Sequence, residues 1–149
     1  MGESAGRRRG SGKDKTVKYM MLMQFSAAQA DFPSIDTWSA EEVSAHLDFM
    51  RHTNEELVRS GEFVDGQGLA MPDQAKIVRA GDGGRPVVSD GPFPETKEFL
   101  AGWWIVDCET PERVIELAAA VSAAPGPGGR PLNMPIEVRQ VMAAPTEEL

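Results

Sequence analysis

Apolar and polar positions alternate near the start of the chain, from Thr16 to Phe25. The opposite face of this segment is also largely apolar in its middle. Alternation with a period of two predicts a β-strand, and two apolar faces predict a strand inside a sheet rather than at its edge. The apolar face consists of Val17, Tyr19, Met21, Met23 and Phe25.

Apolar residues recur at helical spacing between Val43 and Leu57. Ser39 is placed to cap the N-terminus of this segment, and Glu42, three residues later, completes a capping box. Gly61 supplies the left-handed residue that commonly ends a helix. The pattern predicts a helix from Ala40 to Ser60.

The second half of the chain contains several short β-prone segments and one more helix. Gly66 and Gly68 fall inside the first segment and indicate a bulge or the close approach of another backbone or a ligand. The bulky run around Trp103 and Trp104 predicts a strand that is buried on both faces or meets a partner chain. The predicted strands are 63–70, 75–79, 86–89, 101–107 and 136–142, and the second helix begins after Thr110.

The order of these elements is β-α-β-hairpin-β-α-β, which is typical of an α+β domain. It predicts the ferredoxin-like split βαβ plan with an added β-hairpin and two helices on one face of an antiparallel sheet. The other face must meet solvent or a second subunit. Because both faces of the first strand are apolar, we expect a homodimer with the two sheets packed face to face.

Charge is distributed unevenly along the 149 residues. Residues 1–18 hold six basic and two acidic side chains, a net +4, whereas the remainder holds nine basic and twenty-one acidic ones, a net −12. So acidic a domain disfavours nucleic acid as a partner. The Gly, Ser and Arg composition predicts a disordered basic leader over 1–15, with a functional basic arm as the alternative. The domain then spans 16–143, and 144–149 form a polar tail.

The residue inventory excludes several kinds of protein. The single cysteine, Cys108, excludes an intramolecular disulfide framework and fits a reducing cytoplasm. No apolar run is long enough to span a membrane, and the start lacks the apolar core of a signal peptide. With two histidines and no ligand spacing or phosphate-binding glycine loop, we expect no metal site and no cofactor. A soluble cytoplasmic protein is predicted.

The segment from Ser89 to Glu98 reads Ser-Asp-Gly-Pro-Phe-Pro-Glu-Thr-Lys-Glu. With it, the chain resembles the YCII-related family, specifically the branch marked by an Asp-Gly-Pro-Phe (DGPF) turn. The resemblance covers about residues 17–142, because the segments 19–23, 66–69, 102–105 and 136–141 follow in the family's order. It implies a dimeric α+β barrel with a cleft in each subunit. Genes of this branch often lie beside those of extracytoplasmic-function sigma factors.

The resemblance also implies a catalytic pair. His46 matches the family histidine, and Asp90 matches the acidic residue of the DGPF turn. A carboxylate beside an imidazole fixes its tautomer and raises its basicity, so His46 is a candidate general base and Asp90 its orienting group. The alternatives are structural: His46 is a hydrogen-bonded histidine at the edge of the core, and Asp90 only begins a turn.

Residues around the DGPF turn are candidates for ligand binding. Glu95, Lys97 and Glu98 form a charged cluster that could bind a polar or anionic group. The alternative is that they form a solvated loop without a binding role. Phe93 and Trp103 offer rings that could stack on a planar ligand.

Two functional hypotheses follow. In the first, the protein is a small cofactor-free enzyme that uses His46 and Asp90 for proton transfer on a small polar or aromatic metabolite, as a lyase, an isomerase or a hydrolase. In the second, the same cleft belongs to a non-catalytic dimer that senses a metabolite or docks a partner such as a sigma factor. The superfold hosts many activities, so the fold does not choose between them.

Overall fold

The structure is a computed structural model, and it describes residues 17–25, 33, 35–91 and 98–143. The predicted leader over 1–15 and the tail over 144–149 lie outside these residues. So do three of the candidate ligand-binding residues, Phe93, Glu95 and Lys97.

The described chain is an α+β arrangement, as the sequence predicts. Four strands form a main sheet in the order β2-β5-β1-β6, and every neighbouring pair is antiparallel. β3 and β4 pair separately as a two-stranded hairpin. The elements are β1 (Val17–Phe25), α1 (Ala40–Ser60), β2 (Phe63–Gly68), β3 (Lys76–Ala80), β4 (Pro86–Asp90), β5 (Phe99–Cys108), α2 (Pro111–Ser122) and β6 (Ile136–Gln140).

The predicted limits of α1 are confirmed at both ends. The Ser39 hydroxyl accepts a hydrogen bond from the Glu42 backbone N–H at 3.1 Å, and the Glu42 carboxylate accepts one from the Ser39 N–H at 3.0 Å. Gly61 ends the helix with φ of 82°. These contacts satisfy backbone groups that a helix terminus otherwise leaves without partners.

The hydrophobic core lies on one face of the main sheet. Alternate residues of β5 are buried, among them Trp104 and Val106, and they pack with Met21 of β1. Leu57 of α1 and Val114 of α2 belong to the same buried cluster. Both helices therefore pack against one face of the sheet.

No described helix covers the opposite face of the main sheet. At its centre Met20 pairs with Ile105, and Leu22 pairs with Trp103, and all four side chains are partly exposed. We call these four residues the uncovered face. Beside them, Asp107 carries a carboxylate oxygen, Oδ1, that is sealed from solvent and has no hydrogen-bond partner among the described residues.

A double hydrogen bond joins α2 to the start of β2. Arg113 donates from Nε to Glu62 Oε2 at 2.8 Å and from Nη2 to Glu62 Oε1 at 2.9 Å. These bonds to the guanidinium lower the pKa of the Glu62 carboxyl. Two parallel hydrogen bonds constrain direction as well as distance, so this contact fixes the orientation of α2 relative to β2.

For each strand, the two ends together differ from the prediction by one to three residues. β5 extends from 99 to 108 rather than from 101 to 107, whereas β2 stops at Gly68 and β6 at Gln140. Strand ends are set by pairing with other strands, which a local pattern does not contain. In the described part of the chain, no helix is both long and apolar enough to cross a membrane.

Candidate functional site

A cavity of about 420 Å³ lies between α1 and the main sheet. Its walls come from α1, β2 and β5, from the residues before α1, and from the segment that leads into β6. We call it the helix–sheet cavity. Its large side chains include Phe25, Trp38, Met50, Phe99, Trp104 and Met134.

Aromatic rings form much of the wall. Phe25 and Phe99 meet edge to face with their ring centroids 5.3 Å apart. The rings of Trp38 and His46 also meet edge to face, with centroids 5.6 Å apart and an angle of 80° between the ring planes. Edge-to-face contacts hold rings in defined orientations. The cavity is therefore walled largely by fixed apolar surfaces.

His46 is one of the few polar residues in this wall, and its side chain is oriented by the backbone. It is nearly buried, and its Nδ1 lies 3.1 Å from the carbonyl oxygen of Pro125. A carbonyl only accepts, so Nδ1 carries the hydrogen, and in the neutral imidazole Nε2 is then an acceptor. Nε2 makes no hydrogen bond with any described residue, and it is not sealed from solvent. Because His46 lines the cavity, Nε2 is the ring nitrogen left to accept a hydrogen bond there.

Asn54 is a second polar residue of the wall. Its Oδ1 accepts a hydrogen bond from the Trp104 indole N–H at 2.8 Å. Because the indole nitrogen only donates, the amide atom that faces it must be the oxygen, Oδ1. The amide nitrogen, Nδ2, can then donate to another group. At Gly66 the nearest neighbour is a side chain rather than another backbone or a ligand, since a Cβ there would lie 2.9 Å from Trp104 Cδ1. The glycine thus lets the indole lie flat against β2.

The Pro- and Gly-rich loop before β6 is attached to α1 at two points. The Gly128 N–H donates to Glu42 Oε2 at 2.9 Å, and this hydrogen bond, more than any other contact, lowers the pKa of Glu42. One helical turn later, His46 holds the carbonyl of Pro125. Leu132 follows the loop and lines the cavity. The loop therefore completes the wall at the His46 end.

Asp90 lies apart from this site. Its carboxylate is 86% exposed and accepts a hydrogen bond from Lys76 Nζ at 3.0 Å across the β3–β4 hairpin. Asp90 does not line the cavity, and among the described residues neither it nor His46 hydrogen-bonds to the other. The pair of His46 and Asp90 stays a prediction, and the group that orients the imidazole in this chain is the Pro125 carbonyl.

The other candidates occupy different positions. Glu98 is exposed just before β5 and does not line the cavity. Trp103 does contribute to the wall, although strand alternation directs its side chain to the face opposite that of Trp104. No three of the described histidine, cysteine, aspartate and glutamate residues are grouped so as to hold a metal ion.

A sequence model of the YCII-related domain matches residues 17–126, which is most of the chain. The chain belongs to the YCII-related family. The matched part runs from β1 through α2, so α1, β2 and β5 of the helix–sheet cavity lie within the YCII-related domain. Leu132 and Met134 follow the matched span and add a wall from outside it.

A second comparison, with individual proteins, also finds a relative of the YCII-related domain. An uncharacterized protein of Rhizobium meliloti (strain 1021) is 31% identical to it over 87 residues, which is 58% of this chain and 69% of the relative. Its name states no activity, so the function must be argued from the cavity.

Proposed function

We propose that this YCII-related domain binds a small, mostly apolar molecule in the helix–sheet cavity. The observation that carries the proposal is a cavity of about 420 Å³ whose walls are largely apolar and aromatic and include three polar side chains, His46, Asn54 and Gln67. Small-molecule sites commonly have this volume and combine apolar walls with a few placed polar groups. An ordinary core would leave no space of this size unfilled.

Titration with N-phenyl-1-naphthylamine tests the proposal, because this uncharged fluorophore emits more strongly when it leaves water for an apolar site. We expect saturable binding. Leu47 lines the cavity and is 49% exposed, so Leu47→Trp should narrow the cavity without disturbing the core. A loss of about 1.4 kcal/mol of binding free energy corresponds to about tenfold weaker affinity, which is the least we expect from this variant.

The matched control is Val58→Trp, which adds the same ring to the same helix at a position that is 61% exposed and outside the cavity. It should bind the fluorophore as the wild type does. No saturable binding by the wild type, or equal weakening by both variants, would contradict the proposal.

A second candidate function is acid–base chemistry by His46 on the bound molecule, of the lyase, isomerase or hydrolytic type. It is supported by the Nδ1 contact with Pro125, which orients the ring and leaves Nε2 as an accepting nitrogen at the cavity. For any compound that binds and is converted, His46→Gln should slow turnover by about 10²–10⁴-fold, the usual contribution of a general base.

Mass spectrometry of the reaction mixture measures this turnover. A second variant, Asp90→Asn, tests whether Asp90 or the Pro125 carbonyl orients His46. Unchanged turnover in Asp90→Asn assigns the orienting role to the Pro125 carbonyl, whereas a loss as large as that of His46→Gln supports the predicted pair. If conversion persists in His46→Gln, this second function is wrong.

We further propose that the domain follows the ferredoxin-like plan, belongs to the DGPF branch and pairs into a homodimer as a dimeric α+β barrel. The strand order β2-β5-β1-β6 supports the plan, and the residues from Asp90 to Phe93 support the branch. The uncovered face supports the dimer, because a second copy packed there would bury its four apolar side chains.

A further inference from the structure

The described wall of the helix–sheet cavity contains no charged side chain. Aspartate, glutamate, lysine and arginine are all absent from the described residues that line it. Moving an ionised group from water into such surroundings without a partner costs several kcal/mol. If the cavity binds a ligand, as proposed above, its wall favours a ligand without formal charge.

Three polar side chains line the cavity, those of His46, Asn54 and Gln67, and the two that belong to α1 lie far apart. His46 and Asn54 are eight residues apart on α1, which places them about 12 Å apart along the helix axis. One polar group of a small ligand therefore meets one of them and not both. His46 Nε2 accepts a hydrogen bond, whereas Asn54 Nδ2 donates one.

The aromatic part of the wall suits a flat ring. The ring faces of Phe25, Phe99 and Trp38 are held by edge-to-face contacts or by a hydrogen bond from the Trp38 indole to the Pro33 carbonyl at 2.9 Å. Met50 and Met134 add flexible thioethers, which adapt their shape and make favourable contacts with aromatic rings.

We propose that the natural ligand is an uncharged, ring-containing molecule whose hydroxyl group donates a hydrogen bond to His46 Nε2. The inference rests on the proposed function, and it excludes phosphorylated, carboxylated and cationic metabolites. It also assigns His46 as the residue that selects a hydroxyl-bearing ring over an unsubstituted one.

Three naphthalene derivatives test the expected preference for an uncharged ligand. Each is measured by its displacement of N-phenyl-1-naphthylamine at pH 7. 2-Naphthol stays neutral because phenols titrate near pH 10, whereas 2-naphthoate is an anion and 2-naphthylmethylamine a cation. We expect 2-naphthol to bind at least about tenfold more tightly than either ion, since each ion would be buried without a partner.

A fourth compound, naphthalene, tests the role of His46. In the wild type, 2-naphthol should bind about two- to tenfold more tightly than naphthalene, the range given by one net hydrogen bond. His46→Leu should remove this difference while still binding the fluorophore. The control is His52→Leu on the same helix, where the imidazole is 70% exposed and outside the cavity, and where the difference should persist.

The outcomes separate this inference from the proposed function. If the fluorophore does not bind, the proposed function fails and this inference with it. If it binds but either ion equals 2-naphthol, or His46→Leu keeps the preference for 2-naphthol, only the inference is overturned. It is also overturned if the cation binds best at low salt and loses its advantage at 1 M salt, because the protein's net charge of −8 would then be the cause.

Discussion

Trp104→Ala is expected to lower the free energy of unfolding by about 3–5 kcal/mol, the usual cost of truncating a buried tryptophan. Trp104 is 7% exposed and belongs to the core between the main sheet and the helices. The substitution also removes the donor to Asn54 Oδ1, which ties the middle of α1 to β5. Chemical denaturation followed by circular dichroism measures the loss.

The neighbouring tryptophan provides a matched control. Trp103→Ala removes the same ring from the adjacent position of β5, but its side chain lies on the uncovered face and is only partly buried. At protein concentrations low enough for monomers, its effect should be less than half that of Trp104→Ala. Equal effects would show that the core does not lie on the face described above. Trp104→Phe isolates the hydrogen bond, with an expected cost nearer 1 kcal/mol plus that of a small cavity.

The elements that the sequence predicted well are those with local causes. The signals for α1 lie within a few residues of each end. Ser39 and Glu42 exchange the hydrogen bonds of the capping box, and Gly61 adopts the left-handed conformation because it has no side chain. The limits of this helix were therefore predictable to the residue. The alternation of apolar and polar residues in β1 is also a local signal. The predicted start of this strand differs from the observed one by one residue.

The site was predicted less well because its contacts join distant parts of the chain. His46 meets Pro125 across 79 residues, and Asn54 meets Trp104 across 50. Neither Pro125 nor Asn54 has a side chain that by itself indicates such a role. His46 was predicted as a site residue with Asp90 as its orienting group, and both stay predictions; the contact that the structure shows is with the Pro125 carbonyl. A backbone carbonyl leaves no mark in the residue types, so the sequence could not indicate this contact.

Ile105→Asp is expected to convert a dimer into a monomer, if the uncovered face is the dimer interface. Ile105 pairs with Met20 at the centre of that face. In a face-to-face dimer related by a twofold axis, the substitution would place two carboxylates in an apolar interface, together with those of Asp107. Like charges brought together in an interface cost several kcal/mol, so we expect association to weaken at least about 100-fold.

Sedimentation velocity at micromolar concentrations measures this change, with circular dichroism to show that the variant folds. Ile115→Asp on α2 is the control, because Ile115 is 58% exposed on the helical side of the sheet and should leave the dimer intact. A monomeric wild type, or a dimeric Ile105→Asp, would exclude this interface.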